Sequence, residues 1–190
     1  MPERPEARMP QDDVIELLLR QHQEIRRLFQ EVEGNTGDAR AEAFARLRRF
    51  LAAHETVEEE IIHPLARRRS GDQVIDARLE EENQGKRVLQ ELEEIGPASP
   101  EFQPLFAKFH KDVLQHAEYE EQQEFPELRT RSNAERHAMA AGITAAEATA
   151  MDRIFPGVES APKNRLLGPF AAVADRIRDP VRKAMGPHHG

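Results

Sequence analysis

Apolar residues recur along the chain in steps of three and four, the spacing that places side chains on one face of an α-helix. This pattern predicts four helices, at about residues 12–32, 38–69, 72–95 and 100–131. Asp12 is the expected N-cap of the first helix, and prolines interrupt the second and fourth helices near their ends. Amphipathic helices joined by short loops favour an all-α fold, an up-down-up-down four-helix bundle over residues 12–131.

The two ends of the chain differ from this central unit. Residues 1–11 are charged and broken by prolines, and we expect them to form a disordered leader. Residues 132–190 form a C-terminal extension, in which segments near 134–152 and 166–185 predict two additional helices. We expect these helices to pack on the outside of the bundle or to form the contact in a homodimer.

The two halves of the central unit repeat each other. His54 and His116 are each followed by glutamates four and five residues later, and by a proline ten residues later. Upstream of these motifs, His22 in the first half aligns with Glu82 in the second half. The second pair of helices therefore resembles a duplicate of the first pair, and equivalent residues should surround a pseudo-twofold axis.

The polar residues of this repeat lie on the apolar faces of the helices. Residues four apart in a helix point in nearly the same direction, so each histidine of the motif can share a space with its glutamate. Buried carboxylates that converge without cations are strongly unfavourable, and bound divalent cations would compensate their charge. The pattern predicts a site for two metal ions, with these candidate ligands: His22, His54, Glu58, Glu82, His116 and Glu120.

Composition limits the metals and partners. The chain has no cysteine, so a transition metal must be held by nitrogen and oxygen ligands, which favours iron, with manganese or zinc as alternatives. A net charge of -8, one tyrosine and no tryptophan disfavour a nucleic-acid partner. The same charge and the lack of a long apolar segment predict no membrane contact, and a cytoplasmic protein is the expectation.

The paired His-x-x-x-Glu-Glu motifs, each followed by a proline, resemble the hemerythrin-like, or HHE cation-binding, domain over about residues 12–130. This resemblance implies a non-haem di-iron centre inside the bundle. It also implies five of the candidate ligands: His22, His54, Glu58, His116 and Glu120. Glu121 is an alternative to Glu120, because some members of the family use the carboxylate five residues after the last histidine.

The third helix departs from the family pattern. Oxygen-carrying hemerythrins have histidines there, whereas this chain has none between His63 and His110. The internal repeat indicates Glu82 as the replacement ligand, with Glu81 as the alternative. His63 and His110 fall off the apolar stripes of their helices in α-helical geometry, so we expect both at the surface.

A carboxylate in place of imidazole adds negative charge and should stabilise ferric iron, which disfavours simple oxygen storage. The leading hypothesis is a metal-binding protein that responds to oxygen, peroxide, nitric oxide or iron through sensing, storage or detoxification. A di-iron oxidase or peroxidase is the second hypothesis. The third is a metal-free helical interaction protein.

Overall fold

The computed structural model describes residues 13–63 and 72–154, and all of the regular structure in these ranges is helical. The five helices are α1 (Val14–Gly34), α2 (Gly37–Val57), α3 (Asp72–Ile95), α4 (Phe102–Tyr119) and α5 (Asn133–Ile154). Helix α2 continues through a π-helical segment, Glu58–Ile62, and α4 continues through Glu120–Glu124 and a short α-helical segment, Phe125–Arg129. The prediction of an all-α four-helix bundle is confirmed.

Some predictions fall on other parts of the chain. The leader at 1–11, the end of the second helix after residue 63 and the helix at 166–185 all lie outside the described residues. The first of the two additional helices is present as α5. None of the described helices is long and apolar enough to cross a membrane.

Helix boundaries follow local chemistry. The N-cap of α1 is Asp13, one residue later than predicted, and its side chain accepts a hydrogen bond from the backbone N–H of Ile15 at 3.0 Å. Helix α3 ends at Gly96, which has φ +78° and donates its N–H to the carbonyl of Leu92. This left-handed conformation favours glycine, because other residues carry a Cβ that strains it.

Two apolar clusters fill the bundle. The cluster at one end includes Leu18, Ile62 and Phe125. The cluster at the other end includes Phe29 and Phe106, whose ring centroids lie 5.3 Å apart. On α1, α2 and α4 the candidate ligands fall between the residues of these two clusters, so a polar layer separates two apolar ones.

Helix α5 covers one end of the bundle. Met139, Ala140 and Ile143 pack into the same cluster as the start of α1. Arg136 of α5 also donates from Nε to Asp13 Oδ2 at 2.7 Å. Asp13 therefore caps α1 and ties α5 to it.

Replacing Asp13 with alanine should lower the free energy of unfolding by about 1–2 kcal/mol, because the helix cap and the Arg136 contact are both lost. Asp13→Asn is the matched control, since asparagine caps helices well but carries no charge.

Burial opposes ionisation of Asp13, but the hydrogen bonds from Ile15 and Arg136 outweigh it and hold its pKa below the usual value. The stabilisation is therefore present at neutral pH and lost as pH falls through that lowered pKa. Urea denaturation measures both variants, and equal stability of Asp13→Ala and wild type would contradict the assignment.

Candidate metal centre

Two π-helical segments lie at equivalent positions of the two halves. The N–H of His63 donates to the carbonyl of Glu58, and the N–H of Phe125 donates to the carbonyl of Glu120, five residues earlier in each case. A π turn holds one more residue than an α turn, so the side chains after it are rotated by roughly 100° from their α-helical positions. The sequence repeat is thus matched by a repeat of an uncommon backbone feature.

This rotation corrects the prediction for His63. An α-helix would place His63 about half a turn away from His54, but the π segment turns it into the bundle, where it is 3% exposed. His63 Nε2 contacts Glu82, and its Nδ1 lies 3.1 Å from Glu124 Oε2. The expectation that His63 lies at the surface was therefore wrong.

The other histidine expected at the surface, His110, lies on α4 in contact with α1. Its ring stacks on Phe29 with a centroid distance of 4.3 Å, and its Nδ1 lies 2.8 Å from Glu33 Oε1. The side chain is 19% exposed, so it is only partly at the surface. His110 is not among the residues that converge on the polar layer.

The first convergent group joins α1, α2 and the π segment after α4. It contains His22, His54, Glu58 and Glu120, all buried, with one ligand atom from each within 4.8 Å of the others. His54 Nε2 lies 3.4 Å from Glu58 Oε1, and His22 Nε2 lies 3.4 Å from Glu120 Oε2. Two imidazoles and two carboxylates at this spacing can coordinate one cation.

A second convergent region adjoins the first, on the side of α3. Glu55, Glu82 and His116 form one group, and His63, Glu82 and Glu120 form another. Glu120 belongs to both regions, because its Oε2 faces His22 while its Oε1 lies 3.2 Å from His116 Nε2. The structure thus brings all six candidate ligands together, and Glu120 lies between two groups of donor atoms.

Hydrogen bonds on the outer side orient three of the imidazoles. His54 Nδ1 lies 2.9 Å from the buried Gln21 Oε1, His22 Nδ1 lies 2.8 Å from Glu121 Oε1, and His116 Nδ1 lies 3.1 Å from Glu81 Oε2. When each Nδ1 donates a proton to its oxygen, Nε2 faces the centre as a lone pair. This arrangement is typical of metal-ligating histidines.

The same contacts place the two alternative carboxylates. Glu121 and Glu81 contact the outer nitrogens of His22 and His116, and neither belongs to the convergent groups. Glu121 also accepts from Arg26 at 3.1 Å. Their geometry suits residues that orient ligands rather than residues that bind the cation.

The donor atoms facing the centre are poorly satisfied by the protein itself. Nε2 of His22 and of His116 are buried without a hydrogen-bond partner among the described residues, and so are both carboxylate oxygens of Glu58 and Glu120. A buried polar atom without a partner costs about 1–3 kcal/mol. Two cations would satisfy these atoms at once, so the residues fit a two-metal centre.

Protons balance part of the charge in the metal-free protein. Burial opposes protonation of His22 and His116, but the carboxylates around them, Glu120 above all, raise their pKa values to about 10 and about 12. Burial lowers the pKa of His54 to about 3, helped by the charge on His22. Burial and the charge of Glu120 raise the pKa of Glu58 to about 8. The cluster therefore holds protons that arriving cations must displace.

Two equivalent residue pairs, related by the pseudo-twofold axis, carry the imidazole on opposite partners. His22 of the first half stacks on Phe125 of the second half, with ring centroids 5.4 Å apart. In the equivalent pair, Glu82 of the second half contacts His63 of the first half. The imidazole that is missing from the third helix is thus supplied from the other side of the site.

Sequence reasoning missed three residues of the polar layer: Glu55, His63 and Glu124. Glu55 follows His54 directly, and the repeat does not mark it because Ala117 stands at the equivalent position. His63 is turned inward by the π segment before it, which α-helical periodicity cannot anticipate. Glu124 lies four residues after Glu120 and shares its face, but it was assigned no role. The repeat itself could have indicated that His63 is buried. His63 aligns with Phe125, and an apolar residue of this type is expected inside the bundle.

Replacing His63 with phenylalanine should lower the free energy of unfolding of the metal-free protein by about 3 kcal/mol, because Glu82 loses a buried partner. The double variant with Glu82→His copies the first half and should recover most of this loss. His110→Phe is the matched control and should cost less than about 1 kcal/mol, because that ring is partly exposed. Chemical denaturation of the wild type, of the His63→Phe and Glu82→His single variants and of the double variant completes a double-mutant cycle. If the two single changes in unfolding free energy simply add up in the double variant, the two residues are uncoupled.

Comparison with known proteins gives one family and one relative. The family model described as the hemerythrin HHE cation binding domain matches residues 13–128. A protein of Nostoc sp. (strain PCC 7120 / SAG 25.82 / UTEX 2576) described as a DNA nickase is 28% identical over 115 residues. The aligned region covers 60% of this chain and 33% of that relative. No solved structure matches the chain.

Proposed function

Because this chain belongs to the hemerythrin HHE cation-binding family, we propose that it holds two iron ions as a non-haem di-iron centre. The observation that carries the proposal is the position of Glu120, whose two oxygens face His22 Nε2 and His116 Nε2 at 3.4 and 3.2 Å. A carboxylate placed in this way can bridge two cations. Manganese and zinc suit the same nitrogen and oxygen ligands.

The ligand groups follow from the geometry. The first ion would be held by His22, His54, Glu58 and Glu120. The second would be held by His116, whose Nε2 lies 4.0 Å from Glu82 Oε1 and 3.2 Å from Glu120 Oε1, together with these two carboxylates. Glu55 and His63 lie within reach of the second ion. The second position is richer in carboxylate than the first, as the replacement of a helix-three histidine by Glu82 implies.

This ligand set favours redox reactivity over reversible oxygen storage. When bound, an iron pair supplies electrons and Lewis acidity. The chain's carboxylates stabilise the more positive ferric state, and the outer-side contacts of Glu81 and Glu121 hold the imidazoles in the coordinating tautomer. We infer a role in the response to oxygen, peroxide, nitric oxide or iron, through sensing, storage or detoxification.

Anaerobic reconstitution with ferrous iron tests the metal centre. Elemental analysis should give about two irons per chain, and the variant with His54→Ala and Glu58→Ala should lose metal while circular dichroism shows that it keeps its helices. A folded wild-type protein that takes up no metal would refute the proposal. The protein would then be studied as a helical interaction protein.

Peroxide consumption separates a sensor or store from an enzyme. A protein that senses or stores should consume peroxide in proportion to its iron and then stop. Many turnovers per site in the presence of a reductant would show an oxidase or peroxidase activity instead. Reversible oxygen binding without net oxidation would contradict the inference that the site favours ferric iron.

DNA cleavage is a second candidate, because a relative is described as a DNA nickase. That relative aligns with this chain over only a third of its length, and the net charge of -8 disfavours contact with phosphates. We expect the iron-loaded protein, with catalase present, to nick supercoiled plasmid no faster than the same concentration of free iron. Faster nicking that the double variant lacks would favour the nickase function.

A further inference from the structure

A cavity of about 210 Å³ lies between α3 and α4, beside the second metal position. Its wall includes Leu89, Phe109 and Val113, and its buried end includes Glu82 and His116. The exposed residues of its lining mark an opening to solvent. We call it the α3–α4 cavity. It joins an apolar wall to a polar end, as small-molecule sites commonly do.

Gly85 lines the α3–α4 cavity. A Cβ on Gly85 would meet Phe109 Cε2 at 3.8 Å, an ordinary van der Waals contact, so no close approach requires a glycine here. Its backbone is not in the left-handed conformation either, since the glycines described with positive φ are Gly37 and Gly96. Glycine in the middle of a helix is unfavourable relative to alanine. The residue therefore reduces stability and leaves space beside the site.

The first half of the repeat fills the equivalent space. The alignment that relates His22 to Glu82 also relates Ile25 to Gly85. Ile25 is 2% exposed and packs in the apolar core. At this equivalent position the first half has the side chain of Ile25, whereas the second half has Gly85 and no side chain. The position without a side chain lies beside Glu82 and His116.

We propose that the α3–α4 cavity binds a small neutral molecule with an apolar body and a hydroxyl-bearing head, an alcohol or an alkyl hydroperoxide. Glu82 Oε2 has no hydrogen-bond partner among the described residues, and the Glu82 side chain is fully buried. This oxygen can accept a hydrogen bond from a hydroxyl head, while Glu82 Oε1 and His116 Nε2 stay available to a metal ion. The choice of a hydroperoxide as the reactive ligand rests on the proposed function, whereas the binding of neutral alcohols does not.

Charge around the cavity selects against anionic heads. Glu82 lies at the buried end, and Glu81 and Asp112 line the cavity nearer to solvent. Lys86 also lines it, but its Nζ is paired with Glu59 and lies 3.8 Å from Glu82 Oε2, so its charge is already balanced by carboxylates. A carboxylate head would therefore meet like charge along its path, which is destabilising.

Tyr119 supplies the readout. It lines the cavity, and the chain has one tyrosine and no tryptophan, so intrinsic fluorescence reports on this wall alone. We would titrate 1-hexanol into the protein loaded with zinc, which is redox-inert, and follow Tyr119 emission. Hexanoate is the matched probe, because it has the same chain length and an anionic head.

Gly85→Ile is the decisive variant, since it installs the residue of the first half. It should weaken 1-hexanol binding at least tenfold while zinc content and melting temperature stay the same or rise. Gly85→Ala is the control and should change binding less than fivefold. Val113→Phe narrows the cavity from α4 and gives an independent test if Gly85→Ile does not fold.

Saturable 1-hexanol binding that both blocking variants lose, and that hexanoate does not share, would support the proposal. No saturable signal, or binding that both variants retain, would overturn it. If hexanoate binds as tightly as 1-hexanol or more tightly, the proposal that the cavity prefers an uncharged head group is wrong. Zinc content of the same samples reports separately on the two-metal centre, so failure of the cavity proposal and failure of the proposed function can be told apart.

Discussion

Glu120→Gln should abolish binding of both metal ions, although it changes a single residue. Glu120 is the candidate ligand whose two oxygens face the two convergent groups, and an amide offers one neutral oxygen in place of two charged ones. The expected iron content after anaerobic reconstitution falls from about two per chain to less than one. Elemental analysis of the desalted protein measures this loss.

Glu121→Gln is the matched control for this substitution. It lies next in sequence, but it contacts the outer nitrogen of His22 and the guanidinium of Arg26. We expect it to retain both ions with weaker affinity, because contacts that orient a ligand typically contribute about 10–100-fold to binding. Loss of both ions in Glu121→Gln but not in Glu120→Gln would show that the roles of the two residues are reversed.

Metal binding should release protons and weaken steeply as pH falls. The pKa values of His22 and His116 in the metal-free protein are raised to about 10 and about 12, so both imidazoles are protonated at neutral pH. Coordination needs their neutral forms, and each cation must displace a proton. Lower pH therefore opposes binding, and the overall affinity for two ions should fall by about a hundredfold per pH unit.

A pH indicator in weak buffer measures this release. We expect at least two protons per chain when two zinc ions bind near pH 7, with Glu58 adding to the number because its pKa is raised to about 8. The variant with His54→Ala and Glu58→Ala is the control and should release few protons because it binds little metal. Zinc uptake without proton release would contradict the proposed protonation of His22 and His116.

The residues that the sequence identifies most securely are those that repeat in α-helical register. His54 with Glu58 and His116 with Glu120 share faces because 3.6 residues per turn brings every fourth residue round. His22 and Glu82 followed from alignment of the two halves. The sequence left Glu121 open as an alternative to Glu120, and Glu81 as an alternative to Glu82. In the structure Glu120 and Glu82 belong to the convergent groups, whereas Glu121 and Glu81 contact the outer imidazole nitrogens.

The π-helical segments could not be read from the sequence. A π turn adds one residue without changing the types of residue in the helix, so α-helical periodicity places every later side chain on the wrong face. For this reason His63 was expected at the surface, although it lies in the polar layer beside Glu124. Glu55 was missed for a different reason, because the second half has Ala117 at the equivalent position and the repeat does not mark it.

The sequence by itself determined the helices, the repeat and the inward-facing candidate ligands, because these depend on local periodicity and on the cost of burying charge. Tertiary structure alone decided which atoms meet across helices. It placed the two oxygens of Glu120 between His22 and His116, and it supplied His63 opposite Glu82. It also showed that Gly85 leaves a cavity. These contacts depend on how four helices rotate against one another, which no single helix encodes.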